Sequence, residues 1–426
     1  MLTAHLNQKI QTLIPSGGHF AIAYSGGGDS TAIIHALKDH PQAGPAFIVD
    51  HDLRRGSRAE AQAAHDFASS CGYSANVLTW QHGSPTTALQ EKARKARYGL
   101  MGDACRNAGV KYLLTAHSKD DQAETLLMRY DRKTDWRGAA GMRELTYGPV
   151  WPELAMVNVV RPLLGISRHE LRAYNKAHKL SWAEDPSNQN RNYARIRARD
   201  YLARHPDMGA FLLETAEELR HGVDKEREIL QAEFKASIRV DAYGILYLAK
   251  IPSPELLAHL LRAAGGQGMP IDRGRVKRLR KEMMQSNFKA ATLAGALVKP
   301  HKSGYFICRD LVAVKGRHET TRPVSAGEDV IEAYPKIWDG RYVHGGVPGF
   351  VGEGENRITS LYVLRTTIKN LGPDRFKNLP AEARPTLPAW LQEGGLQSLG
   401  YHHGDDLVIK CLVQSRLHAA LGLKTP

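Results

Sequence analysis

Three glycines between a strand-like run and a helix-like run constrain this chain most. Ser25, Gly26, Gly27, Gly28, Asp29, Ser30 and Thr31 follow the apolar residues 20–23 and precede the apolar stretch 32–37. Glycine lets a backbone turn sharply and leaves its N–H groups uncovered. The positive end of the following helix points at the same spot. A strand, glycine loop and helix in this order form an anion cradle suited to phosphates. An ordinary strand-to-helix turn accounts for the glycines alone, but not for the Ser-Gly-Gly-x-Asp-Ser order. The loop is not a Walker loop, because the Lys-Ser/Thr ending is missing.

The 426 residues leave room for about two or three domains. Cys71, Cys105, Cys308 and Cys411 form no CxxC pair, which speaks against a disulfide framework, a zinc ribbon or an iron–sulfur site. Residues 1–9 contain no long apolar stretch, so neither a signal peptide nor a membrane span is expected, and a reducing, cytoplasmic setting fits. The net charge of +14 and pI near 9.5 point to a polyanionic partner. Solubilising surface charge is the bland alternative.

Strands and helices alternate through the first half. Residues 46–50, 74–79, 111–116 and 157–160 read as strands, and 87–107 as a long amphipathic helix. Ser57 with Glu60, Ser118 with Asp121, and Ser167 with Glu170 read as helix caps. This alternation predicts an α/β fold with an N-terminal doubly wound parallel sheet, followed by smaller helical and α+β C-terminal domains. The boundaries read as a catalytic domain over 1–205, a helical connector over 206–235, an α+β domain over 236–315, and a further C-terminal domain over 320–426. Residues 272–302 hold nine Lys/Arg against two acids, a basic patch suited to nucleic acid.

Three charged clusters follow the carboxyl ends of predicted parallel strands: the loop 25–30, the run 50–55, and the run 116–125. Open parallel sheets bind ligands at that edge. Asp121 and Glu124 share one helix face and can hold an ammonium group or Mg²⁺, or take a proton from an amine. Asp121 is equally well explained as a cap, and His117, Arg97 and Tyr98 as surface residues. Spaced arginines at Arg191, Arg195, Arg197 and Arg199 suit phosphate, with Tyr193 as a stacking surface. A basic, exposed helix start explains them as well.

The loop over 25–30 resembles the pyrophosphate loop of ATP pyrophosphatases, which split ATP into AMP and pyrophosphate. A wider set of segments is similar to the tRNA(Ile)-lysidine synthetase family. These are residues 49–54 with Ser57 and Glu60, 93–98, 116–129, Gly141 with Met142, Arg161 to Leu164 with Arg168 and Glu170, and 185–188 with Arg195 and Arg197. The resemblance spans residues 18–200. It implies a Rossmann-like PP-loop domain using ATP and Mg²⁺. Its partners would be a tRNA(Ile) with a CAU anticodon and free L-lysine, with a homodimer left open. ATP would adenylate the C2 oxygen of the wobble cytidine, and the ε-amine of lysine would displace AMP.

By the same resemblance, Ser25, Gly26, Gly27, Gly28 and Ser30 would hold the ATP phosphates, and Asp29 would help place Mg²⁺. Asp50 and His51, with the backbone from Val49, would face the adenine. Asp121 and Glu124 would hold the lysine amine, with Asp121 also expected to accept a proton, while Arg97 and His117 position substrates. Arg191, Arg195, Arg197, Arg278, Arg280 and Lys281 are the expected tRNA contacts. Two departures stand out: Asp52 replaces a usual glycine, and residues 131–137 replace a glycine-rich loop. The nearest rival is a tRNA thiolase, which would want paired cysteines. A non-catalytic RNA- or nucleotide-binding protein is a third reading.

Overall fold

The computed structural model describes residues 1–53, 56–82, 89–184, 194–318, 337–339, 341–345, 357–360, 378–392, 395–399 and 408–423. Arg54, Arg55, Arg191 and Tyr193 lie outside the described residues. The chain divides into two compact units, one of residues 1–149 with 156–228 and the other of 150–155 with 229–426.

The first unit is built on a six-stranded sheet in the order β3-β2-β1-β4-β6-β5. β1 (Phe20–Ala23) pairs in parallel with β2 (Ala43–Asp50) on one side and β4 (Tyr112–Leu114) on the other. β3 (Ala75–Thr79) and β6 (Asn158–Val160) extend the sheet in parallel. Strand order therefore reverses between β1 and β4, the place where such sheets bind ligands. β5 (Leu145–Tyr147) runs antiparallel to β6, pairing Leu145 with Val160. The expected all-parallel sheet thus carries one antiparallel edge strand, reached by a short return rather than a helical crossover.

α1 (Leu2–Leu13) escaped the sequence reading, although its buried Leu2, Leu6 and Ile10 recur every four residues. They join Phe20, Ile22, Ile33, Ile34 and Ile48 in one core. Burying each such side chain stabilises the fold by about 1.5–3 kcal/mol. α2 (Gly28–Ala36), α3 (Ser57–Ser70), α4 (Leu89–Asn107) and α5 (Lys119–Asp131) follow β1 to β4 in turn. α6 (Trp136–Ala139) is a single turn, and α7 (Arg168–Ala177), α8 (Ala194–Arg204) and α9 (Pro206–Ser237) follow. Ser118 and Ser167 close reciprocal capping boxes with Asp121 and Glu170. Ser57 does not cap α3. Gly56 takes the N-cap position at φ +96°, a left-handed conformation that suits glycine, so Ser57 becomes the first helical residue.

In the second unit, β7 (Ile238–Val240), β8 (Leu246–Leu248), β9 (Ala291–Leu293), β10 (Ala296–His301) and β11 (Gly304–Arg309) form an antiparallel sheet ordered β7-β8-β11-β10-β9. α10 (Pro254–Ala264), α11 (Arg273–Met283) and the helix Val413–Leu421 share its core through Leu257, Leu260, Val276, Leu279 and Leu417. Arg309 is fully buried and is held by Asp339 through two hydrogen bonds of 2.9 Å. Arg341 donates to the same carboxylate at 2.8 Å.

Candidate active site

The glycine loop joins β1 to α2 at the switch point of the sheet. Gly26 has φ +76°, and Gly27 is the N-cap of α2. The first N–H groups of a helix have no partner inside it, so they face whatever sits at the loop. Ser30 Oγ donates to Gly27 O at 2.9 Å and lies 3.0 Å from Ser25 Oγ, which braces the two ends of the loop. From outside, Ala183 N–H donates to Gly26 O at 3.0 Å and Asn175 Nδ2 to Gly28 O at 2.8 Å. A Cβ on Gly28 would come within 3.3 Å of the Trp182 ring, so this glycine also makes room for an aromatic wall.

Asp29 opens α2 and meets the first turns of α5 and α7. Arg168 Nε lies 3.5 Å from Asp29 Oδ2, Nη2 3.2 Å from Asp121 Oδ1, and Nη1 3.3 Å from Glu124 Oε1. The backbone N–H of Arg168 donates to Asp120 Oδ2 at 2.7 Å. One guanidinium thus ties together three carboxylates contributed by α2 and α5. Sequence reading missed this hub, although Arg168 stood within the family pattern. Glu124, 1 % exposed, also receives Arg199 Nε at 2.8 Å and lies 3.3 Å from Arg195 Nε. Arg195, expected on tRNA, is therefore turned toward an acid in this structure, while Arg197 is exposed.

Asp121 does two jobs with two oxygens. Oδ2 accepts from Ser118 N–H and Oγ, both at 2.9 Å, and Oδ1 faces Arg168. Burial alone would raise its pKa, but the Ser118 hydrogen bond, Arg195 and Arg168 hold it below the usual carboxylate range. Asp29 goes the other way. Burial outweighs Arg168, and nearby Asp121 adds repulsion, so its pKa is raised to about 6. Ionising Asp29 is harder in the folded chain than in the unfolded one. The ligand-free fold therefore loses stability as pH rises from 3.8 through about 6. A cation-assisted ligand needing the ionised form should bind more weakly by about tenfold per pH unit below that value. Calorimetry of MgATP binding between pH 5 and 7.5 checks this, and Asp29→Asn should flatten the profile.

His117 Nδ1 lies 2.8 Å from Thr115 Oγ1. Burial first, then Arg161, push its pKa down to about 3, so the ring is neutral at physiological pH. Arg97 and Arg161 are both desolvated cations near it. Arg161 also donates to Thr146 Oγ1 and Arg143 O, at 3.0 Å each. His51 is likewise neutral, its pKa lowered to about 4 by burial and Arg97, and its ring meets Trp80 edge-on. Asp50 is buried and accepts from Asp52 N–H at 2.9 Å, which shapes the turn after β2. Asp52 sits at φ +47°, which explains why a glycine would be usual there. Aspartate tolerates that region better than most residues. Residues 131–137 are pinned within the first unit: Asp135 caps α6, Arg137 pairs with Glu226, and Trp136 packs at Gly222.

In the second unit, α11 buries Val276, Leu279 and Met283 and leaves Arg275, Lys277, Arg278 and Lys281 exposed. Arg280 does not join them. It lies beside the apolar stripe, and its Nε donates to Pro252 O at 2.7 Å.

A glycine cradle at the switch point of a parallel sheet, with buried acids beside it, defines a nucleotide-binding domain of the PP-loop class. The PP-loop domain family profile matches residues 2–205. A tRNA(Ile)-lysidine synthase of Caulobacter vibrioides is 31 % identical, over 95 % of this chain and 93 % of its own. Those of Hyphomonas neptunium and Brucella canis are each 33 % identical, over 66 % and 90 % of this chain and 79 % and 86 % of theirs. The chain belongs to the tRNA(Ile)-lysidine synthase family.

Proposed function

We propose that this chain converts the wobble cytidine of a CAU-anticodon tRNA(Ile) to lysidine, acting as a carbon–nitrogen ligase that consumes ATP. ATP adenylates the C2 oxygen and releases pyrophosphate. The ε-amine of free lysine then forms the C–N bond, and AMP leaves. The observation that carries this reading is Arg168, which puts a phosphate cradle and an acid pair within one guanidinium's reach at the same sheet edge. The loop N–H groups and Ser30 hold phosphate oxygens. Asp121 and Glu124 attract and orient the ammonium end of lysine. The low pKa of Asp121 suits it to binding the cation better than to accepting a proton. Neutral His117, ringed by Arg97 and Arg161, suits the approach of an anionic phosphate while adding no charge of its own.

Asp29 offers one carboxylate beside the phosphate loop, the pattern by which Mg²⁺ is held between an acid and substrate phosphates. Mg²⁺ bound there would neutralise phosphate charge. No cysteine pair supports the thiolase reading, and all four cysteines are free thiols. No helix among the described residues is long and apolar enough to cross a membrane. In this reading residues 1–205 carry the chemistry, 206–235 connect, 236–315 meet the tRNA, and 320–426 form a further domain.

The test incubates the protein with MgATP, radiolabelled lysine and a CAU-anticodon tRNA(Ile) transcript, followed by nucleoside analysis. Label in a lysidine-sized product, absent with a methionine tRNA, supports the reading; no label with ATP still bound refutes it. The exposed face of α11 gives a separate expectation. Replacing Arg275, Arg278 and Lys281 by alanine should weaken tRNA binding. The slope of log K against log salt should become shallower by about one for each side chain that pairs with a phosphate. Filter binding across salt concentrations measures both. An unchanged slope would move the tRNA surface off this helix.

A further inference from the structure

Arg168 occupies the place a substrate cation would take. Its guanidinium satisfies Asp121 Oδ1 and Glu124 Oε1 while its Nε lies beside Asp29, the first acid of the phosphate loop. Its backbone is anchored by Asp120, so the side chain swings from a fixed point. An ammonium brought to Asp121 Oδ1 would meet the Arg168 guanidinium there and be repelled by it, while Oδ2 is already engaged by Ser118. Glu124 also faces Arg195 and Arg199, so it has other cations besides Arg168. The exchangeable pairing is therefore the one between Arg168 and Asp121.

We infer that Arg168 is an exchange residue that couples the two small substrates: nucleotide phosphate at the glycine loop draws its guanidinium off Asp121, and only then does Asp121 offer a free oxygen to the lysine ammonium. This rests on the proposed function and adds an order of binding to it, nucleotide before lysine. A guanidinium pairs with phosphate through two parallel hydrogen bonds, an arrangement at least as favourable as its single hydrogen bonds here. Its departure leaves a desolvated negative oxygen, where an ammonium group gains most. Before nucleotide arrives, lysine must displace a fixed arginine and binds weakly. The coupling is a positioning effect, since Arg168 acts through Asp121.

The experiment measures lysine binding to the full-length protein by calorimetry, without tRNA so that no turnover occurs. It is run with and without saturating magnesium α,β-methylene-ATP. In the wild type, nucleotide should tighten lysine binding at least tenfold, which is about 1.4 kcal/mol. By linkage, lysine should tighten nucleotide by the same factor. Arg168→Gln should bring the factor to near one by strengthening lysine binding in the absence of nucleotide. Arg168→Lys, which keeps a cation without the fork, should leave the factor between these limits and guards against a folding defect in the first variant. A merely structural arginine would lower both affinities and leave their ratio alone. A wild-type factor of one, or a tenfold factor retained in Arg168→Gln, overturns the exchange. Absence of lysine binding in every condition, with nucleotide still bound, instead refutes lysine as the substrate and removes the basis of the exchange with it.

Discussion

Asp121→Asn should lower the rate of lysidine formation by about 10²- to 10⁴-fold, the range over which a positioned charge or acid–base group contributes. Asparagine keeps the shape, and its carbonyl oxygen can still accept from Ser118, so the start of α5 should survive. The variant lacks the negative oxygen that faces Arg168, the one assigned to the lysine ammonium. Single-turnover labelling should show the rate loss with a raised lysine requirement, while filter binding shows unchanged tRNA affinity. Asp121→Ala should lose activity to the same extent and, by breaking the reciprocal cap, cost a further 0.5–2 kcal/mol or so in stability. If tRNA affinity collapsed together with rate in Asp121→Asn, the residue would be structural and the amine site would lie elsewhere.

Glu124→Ala should be the more damaging change to the fold. Glu124 is 1 % exposed and faces Arg168, Arg199 and Arg195. Removing the acid takes from three guanidinium groups the carboxylate they share, leaving Arg168 with Asp121 and Asp29. Breaking a buried pair in this way costs about 3–5 kcal/mol. Arg195 and Arg199 are 42 % and 34 % exposed and can turn to water, so the lower end of that range is expected. Thermal melting of the first unit should drop by about 6–12 °C, at roughly 2–4 °C per kcal/mol for a unit of this size. Activity should vanish even below the melting point. A variant that melts like the wild type would show that the three arginines are held by other partners.

The features readable in the chain are those decided within a few residues. The glycine loop and the boxes of Ser118 with Asp121 and Ser167 with Glu170 depend on neighbours at most a turn away, and each is in place. Ser57 shows the limit of that logic: its spacing to Glu60 suits a cap, but the left-handed turn at Gly56 moves the helix start by one residue. β5 was unreadable because its half-buried Leu145, Thr146 and Tyr147 form no apolar run and their direction is set by pairing with β6. Arg278 and Arg280 look alike in the chain. The phase of Val276, Leu279 and Met283 against the core puts one in solvent and the other on Pro252.

By itself, the sequence determined that a phosphate cradle precedes a helix, that Asp121 and Glu124 share a face of α5, and that the chain as a whole is basic. Those are consequences of backbone freedom, helical period and charge count. Only the tertiary structure decided that the acids meet Arg168, 44 and 47 residues further along. It also decided that Asp29 becomes hard to ionise while Asp121 becomes easy, and that His117 is neutral. The physical reason is that desolvation and Coulomb energy depend on distance in space and on access to water, which are set when the strands order themselves and bring their carboxyl ends to one edge.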